Sequence, residues 1–208
     1  MPATKPAAKL QPVSAVILAA GTSSRMGQAK QLLPLGRSIV LAQTLALVQA
    51  AALHEIILVL GASADTIRGQ LSSPQELKIA VNPAYQQGIA SSLRAGLSAV
   101  DPNSDAALII LGDQPFIRPQ TLHRIVEEYR RSQAQIVIPT HQGQRGNPVL
   151  LDRSVFPEVM ALEGDVGSRA IFARHLDGIV NVEVEDSGIL LDLDNPADYE
   201  RLKAKVKG

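Results

Sequence analysis

The chain has 208 residues, 46% hydrophobic and 19% charged, which gives it the material for a sizeable core and excludes a disordered chain. Lysine plus arginine and aspartate plus glutamate both number 20, so there is no excess positive charge to release counterions from nucleic acid, and no run of about 18 apolar residues suits a membrane span. Cysteine is absent, which removes disulfides, thiol nucleophiles and the common zinc frameworks and makes a reducing cytoplasm the expected location.

Residues 1–12, MPATKPAAKLQP, carry prolines and lysines without a continuous apolar stretch. They are expected to be a disordered tail, not a signal peptide, with residues 13–208 forming one domain. Strands are then expected at Val13–Leu18, Glu55–Leu60, Leu77–Val81, Ala106–Leu111 and Gln135–Ile138. Helical spacing of apolar residues fills the intervals at Ser38–Ala51, Ala64–Gln70, Ser91–Val100 and Pro119–Arg131. Several of the strands are apolar at every position, as in a sheet covered on both faces. The pattern therefore predicts a three-layer α/β fold, a mostly parallel twisted sheet with helices on both sides. After Pro139 the rhythm loosens into a polar loop His141–Asn147, a strand Pro148–Leu151, a helix Val166–His175, a strand Ile179–Val184 and a final helix Pro196–Lys205. This half is expected to supply a substrate lid on the same sheet.

Open α/β sheets bind ligands at the carboxyl ends of their strands, so the segments just downstream of strands carry most weight. After the first strand come Gly21 and Gly27, the hydroxyls of Thr22, Ser23 and Ser24, and the cations Arg25 and Lys30. Glycine lets a backbone approach closely, Arg offers a forked donor and Lys a point charge, which together make an anion cradle. The spacing fits neither a Walker loop nor GxGxxG, and by itself it equally fits a solvated turn with two surface cations. The strand Ala106–Leu111 runs into Gly112-Asp113-Gln114-Pro115, placing at the sheet edge a carboxylate suited to magnesium, although an Asp there is also an ordinary turn former or cap. Near the C-terminus Asp192 and Asp194 alternate in an extended stretch and so face one side, where either can meet the same ion; Asp194 or Asn195 can instead cap the last helix, which has Pro196 in its first turn. Ser91 and Ser92 suit either a base edge or a helix cap. The four histidines are scattered without zinc spacing, Arg130 and Arg131 suit a helix C-terminus, and aromatic residues total only 3%, too few for a base-stacking platform.

The stretch LAAGTSSRMGQAKQLLPLGRSIV, Leu18 to Val40, resembles the opening signature of the MobA/MocA-like nucleotidyltransferases, the family that includes molybdenum cofactor cytidylyltransferases and guanylyltransferases. LGDQP resembles that family's metal motif, and the segment from Asp192 to Asp198 its DxDxPxD motif. The resemblance implies a Rossmann-like, glycosyltransferase-A-like fold. It also implies that Leu18, Ala19, Ala20 and Gly21 meet the base and ribose, that Arg25 and Lys30 hold the triphosphate of CTP, and that Asp113 with Asp192 or Asp194 holds Mg2+. Asn82 through Ser91 and Ser92 is similar to the segment that lies against the nucleobase, with Arg94 either meeting the ligand or, as the preferred reading, a solvated helix residue. Arg145, Gly146 and Asn147 are similar to a GxRGHPV loop near the acceptor, and Asp165 and Arg169 to a GDxGAR turn whose side chains either meet the acceptor phosphate or pair with one another. Asn147 stands where the family carries His, and an amide cannot serve as a base near neutral pH. Implied catalytic residues are thus Arg25, Lys30 and Asp113. The implied acceptor is a terminal phosphate of molybdopterin, with a molybdenum hydroxylase as a further partner and neither nucleic acid nor membrane involved. Two rival readings are cytidylyl transfer to another small phosphate, such as methylerythritol phosphate, and a cofactor-delivery protein without turnover.

Overall fold

The computed structural model describes residues 11–23, 26–71 and 77–207. Strand β1 (Val13–Ala19) leads through a ribbon, β2 (Pro34–Leu35) and β3 (Ser38–Ile39), into α1 (Val40–Ala50). Next come β4 (Glu55–Leu60), α2 (Ala64–Gln70), β5 (Lys78–Val81), α3 (Ile89–Ser98), β6 (Ala106–Leu111) and α4 (Pro119–Ser132). The second half comprises β7 (Ile136–His141), β8 (Gln144–Arg145), β9 (Val149–Asp152), α5 (Phe156–Met160), β10 (Ile179–Glu183) and α6 (Pro196–Lys207). One eight-stranded sheet runs in the order β10-β7-β9-β6-β1-β4-β5, with β8 attached to β7. Its ladders are parallel except those of β9 with β6 and β7 and of β8 with β7. Among the described residues no helix is long and apolar enough to cross a membrane.

The central strands are mostly apolar because both of their faces are covered, with Ser14 and Glu55 as polar exceptions near the amino ends of β1 and β4. Val13, Ala15 and Ile17 of β1, with Leu108 and Ile110 of β6, pack against Leu41 and Leu45 of α1, Ile67 of α2 and Leu122 and Ile125 of α4. The alternate residues Val16, Ile57, Val59 and Ala107 face the other way, toward Leu93 and Leu97 of α3 and Phe156 and Val159 of α5. A smaller cluster of Leu33, Leu35, Val40, Leu193 and Leu202 seats α6 beside the ribbon and so fixes the path of the segment before it. Helix α4 opens on Pro119, and the buried Asp186 replaces a local cap: its carboxylate accepts from the Arg118 N–H (2.8 Å), the Thr121 hydroxyl (2.6 Å) and the Gly188 N–H (2.9 Å).

Several local expectations change. Ser38 does not open α1; Ser38 and Ile39 instead fold back on Pro34 and Leu35 around Gly36 at φ 61°, and the helix begins at Val40. The stretch Val166–His175 is not an α-helix but a 3-10 segment, Ser168–Arg174. Its apolar anchors are the adjacent Ile171 and Phe172, too few to sustain a 3.6-residue stripe. The expected loop His141–Asn147 is largely a hairpin, with His141 ending β7 and Gln142 and Gly143 both at positive φ before β8. Helix α3 starts at Ile89, ahead of Ser91, and the short α5 had no counterpart among the expected elements. Residues 1–10 of the expected tail lie outside the described residues, while Gln11 bonds to Gln133 and the Pro12 carbonyl accepts from the Asp105 N–H.

Gly96 lets α3 lie directly on the sheet, since a Cβ there would run into Val16 and stand 3.0 Å from Val59. Gly96→Ala is expected to lower stability by about 1–3 kcal/mol, as overpacking does in a closed core; chemical denaturation measures it.

Candidate active site

The parallel strands bring the carboxyl ends of β1, β4, β5 and β6 to one edge, and a cleft of about 520 Å³ opens there. The chain leaves β1 through Ala19 and Ala20 and enters the glycine loop, with Gly21, Thr22 and Ser23 on the wall of the cleft. Three hydrogen bonds pin the loop. The buried Gln31 donates from Nε2 to the Ala19 carbonyl (3.3 Å) and accepts from the Ser23 hydroxyl (3.3 Å), and Ser23 Oγ accepts in turn from the Lys30 N–H (3.0 Å). Ser23 takes φ 55° to do so. Among the described residues a Cβ at Gly21 would meet nothing within 4 Å, so their packing does not require glycine there. The space it leaves opens onto the cleft.

Pinning the loop delivers the Lys30 ammonium to the Asp113 carboxylate at 2.5 Å and to Asp194 at 3.4 Å. Asp113 caps no helix; it stands on the turn where the Gly112 N–H donates to the Leu18 carbonyl (2.9 Å), locking the end of β6 to that of β1. Burial works against the Lys30 ammonium, yet the Asp113 charge and hydrogen bond, reinforced by Asp194, raise its pKa above the ordinary lysine value. Burial, and then the neighbouring Asp113 charge, push the Asp192 carboxyl above the ordinary aspartate range, while hydrogen bonding from Gln114 and the Lys30 charge pull the other way. Asp113, Asp165, Asp192 and Asp194 all line the cleft, against Lys30 as the cation among its described residues.

Hard carboxylate oxygens with surplus negative charge fit Mg2+ or Mn2+. Among the described residues no three His, Cys, Asp or Glu side chains form a metal cage by themselves. Asn195, not Asp194, caps α6: its Oδ1 accepts from the Ala197 and Asp198 N–H groups. Asp194 and Asp192 are thereby left on the cleft wall.

On the opposite wall Asn82 organises the approach to α3. Its amide donates to Ser91 Oγ (2.8 Å) and Ser92 Oγ (3.1 Å), and its Oδ1 accepts from the Ala84 N–H (3.0 Å). Ser91 commits its own proton to the Gly88 carbonyl (2.8 Å) and lies behind the wall, whereas Ser92 lines it. Gly88, at φ 94°, lets the chain pass against the backbone of Gly164 and Asp165. There Asp165 accepts from the Ile89 N–H at 3.4 Å, capping α3 from a distant loop.

Of the residues that the sequence singled out, Leu18, Ala20, Gly21, Lys30, Ser92, Asp113, Asp165, Asp192 and Asp194 therefore share one cleft. Ala19, Asn82 and Ser91 support it from behind. Arg25 lies outside the described residues. Arg145, Gly146, Asn147 and Arg169 do not line the cleft; Arg145 donates to Asn181 (3.0 Å) in the neighbouring edge strand, and among the described residues no ion pair joins Asp165 to Arg169. Arg94 donates to the Leu162 carbonyl, which ties α3 to the segment just after α5. Sequence reasoning passed over Gln31, Gln114, Tyr85 and Gln86. The two buried glutamines were visible only as neighbours of Lys30 and Asp113.

An α/β sheet with a glycine loop after its first strand and carboxylates at the same edge defines a class of nucleotide-binding transferases. Residues 15–179 match the MobA-like NTP transferase domain, and the chain belongs to that family of nucleotidyltransferases. It is similar to the protein named molybdenum cofactor cytidylyltransferase from Escherichia coli (strain K12), with 28% identity over 93% of this chain and 96% of the relative. Among solved structures it is similar to Rv0371c from Mycobacterium tuberculosis H37Rv, with TM-score 0.84 and 32% identity over 94% of this chain and all of the other (100%). The same protein in complex with manganese aligns at TM-score 0.79 and 30% identity, covering 93% of this chain and 99% of the other.

Asn82→Ala would strip partners from three buried or half-buried groups, and it is expected to cost about 1–3 kcal/mol of stability in a denaturant titration.

Proposed function

We propose that the chain transfers CMP from CTP to a terminal phosphate of molybdopterin or of the molybdenum cofactor, with Mg2+ as its metal, releasing pyrophosphate in a reducing cytoplasm. The observation that carries this reading is the convergence of the pinned glycine loop and the Lys30, Asp113 and Asp194 cluster on one strand edge. The choice of CTP and of acceptor is supported by the similarity to the Escherichia coli protein of that name.

In this mechanism the loop backbone from Leu18 to Gly21 seats the nucleoside, and Gly21 leaves room for its phosphates. Asp113 and Asp192 or Asp194 present carboxylate oxygens to a divalent ion, which when bound would offset phosphate charge. Nucleotide binding redirects the Lys30 ammonium from its carboxylates toward the triphosphate, a task the family resemblance also assigns to Arg25. A phosphate oxygen of the acceptor forms a bond to the α-phosphorus of CTP as the α–β bridging oxygen leaves with pyrophosphate. Lys30 balances the charge that builds on the leaving group. Little covalent chemistry is asked of the protein, so positioning and fixed charge supply most of the rate. Acceptor contacts are assigned to Asp165 on the cleft wall, and to Arg145, Gly146, Asn147 and Arg169 farther out.

The decisive assay is pyrophosphate release from CTP with Mg2+, comparing molybdopterin with methylerythritol phosphate as acceptor. Turnover on molybdopterin alone is expected. Robust turnover on methylerythritol phosphate would reassign the acceptor, and delivery of cofactor with no pyrophosphate released would make the chain a carrier. Asp113→Asn is expected to cut the rate by at least about 100-fold, on the scale of losing a principal electrostatic contact.

Gly21→Val separates packing from function. With open space at that position, stability should stay within about 0.5 kcal/mol of wild type, while CTP affinity measured by titration calorimetry falls at least tenfold.

A further inference from the structure

Gln114 is fully buried, at 0% exposure, on the turn directly after Asp113. Its Nε2 donates to Asp192 Oδ1 and, at 3.5 Å, to the Ile189 carbonyl. Among the described residues its Oε1 is buried with no hydrogen-bond partner. A buried amide with an unmet acceptor works against folding, and a methionine would fill the same volume without that cost. What the amide supplies and methionine would not is a directed N–H on the carboxylate, the kind of contact by which outer residues orient metal ligands.

The second acceptor widens the role. The Ile189 carbonyl also receives the Asn147 N–H at 3.0 Å, and a Cβ on Gly146 would stand 2.5 Å from that same oxygen. Gly146 thus permits the approach of the 145–147 loop to the segment that leads into Asp192. One carbonyl is the junction between that loop and the carboxylate at the cleft.

We propose that Gln114 is a positioning residue that aims the Asp192 carboxylate at the divalent ion and, through the Ile189 carbonyl, holds the 145–147 loop in register with it. The inference rests on the nucleotidyl-transfer reading of the cleft, in which Asp113 and either Asp192 or Asp194 serve the metal, and it takes Asp192 as that second carboxylate. Gln114 touches no reactant, and its effect is transmitted entirely through its two acceptors.

The test measures Mn2+ affinity by electron paramagnetic resonance in the presence of a nonhydrolysable CTP analogue. Wild type is compared with Gln114→Met, Asp192→Asn, Asp113→Asn and the double variant of Gln114→Met with Asp192→Asn. Gln114→Met is expected to weaken Mn2+ binding by about 10- to 100-fold, the scale on which second-layer partners of metal ligands act. It should also change the Mn2+ line shape and add almost nothing in the Asp192→Asn background, because coupled residues are not additive. Wild-type Mn2+ affinity in Gln114→Met, or an undiminished effect on top of Asp192→Asn, would overturn the proposal and leave the metal reading standing. Unchanged binding in both Asp113→Asn and Asp192→Asn would bring down the metal reading itself, and this proposal with it. Should Gln114→Met fail to fold, Gln114→Leu removes the donor without adding a charge and is held to the same two outcomes.

Discussion

The lysine between two carboxylates is the constraint on which the cleft depends. Lys30 lies downstream of β1, Asp113 on the turn after β6, and Asp194 just before the last helix, and the ammonium holds all three segments together. Each of those segments is fixed from elsewhere: the loop by Gln31, the β6 turn by the Leu18 carbonyl, and the C-terminal stretch by the Leu193 and Leu202 cluster. Attraction at a partly buried site is strong enough to matter, because screening by solvent is reduced there. The same pair keeps mutually repelling carboxylates near one another in the absence of any ligand.

Much of the fold was legible because the central strands are short and predominantly apolar. Val13–Ala19, Glu55–Leu60 and Ala106–Leu111 announce themselves by composition, and α4 by its apolar stripe at Leu122, Ile125, Val126 and Tyr129. The failures came where long-range contacts decide the local conformation. Ser38 reads as a helix opener, but two backbone pairs with Pro34 and Leu35 claim it for a ribbon. Ser168–Arg174 has helical composition and winds as a 3-10 segment because only one short apolar step needs burial. No local signal marks Asp186 as the cap of α4 either, since its partners lie 65 and 68 residues away in the chain.

The site divides in the same way. Residues tied to a motif after a strand, such as Gly21, Lys30 and Asp113, came together as the pattern implied. Ser91 and Ser92 are adjacent in sequence and alike in chemistry, yet Asn82 sorts them into a supporting hydroxyl and one on the wall. Asp165 was expected to serve a ligand or Arg169, and its observed partner is the first N–H of α3, a role that depends on Gly88 and Gly164 passing at close quarters. Gln31 and Gln114 carried no signal beyond their positions, because a buried amide and a surface amide look alike in sequence.

Strand β9 runs against both neighbours, pairing Val149 with Ile109 and Leu151 with Ile136. Its amino end therefore lies beside the carboxyl ends of β6 and β7. For a reversed strand the rule of looking just downstream must be inverted, and the connection that precedes it is the one delivered to the ligand edge. That places the turn through Gly146 and Asn147 at the same sheet edge as the cleft by polarity alone, although neither residue lines it. Arg153, directly after β9, is carried to the far rim, where it bonds the carbonyls of Asp101 and Ser104. Variation after β9 is thus mechanically remote from the cleft, and variation a few residues earlier is not.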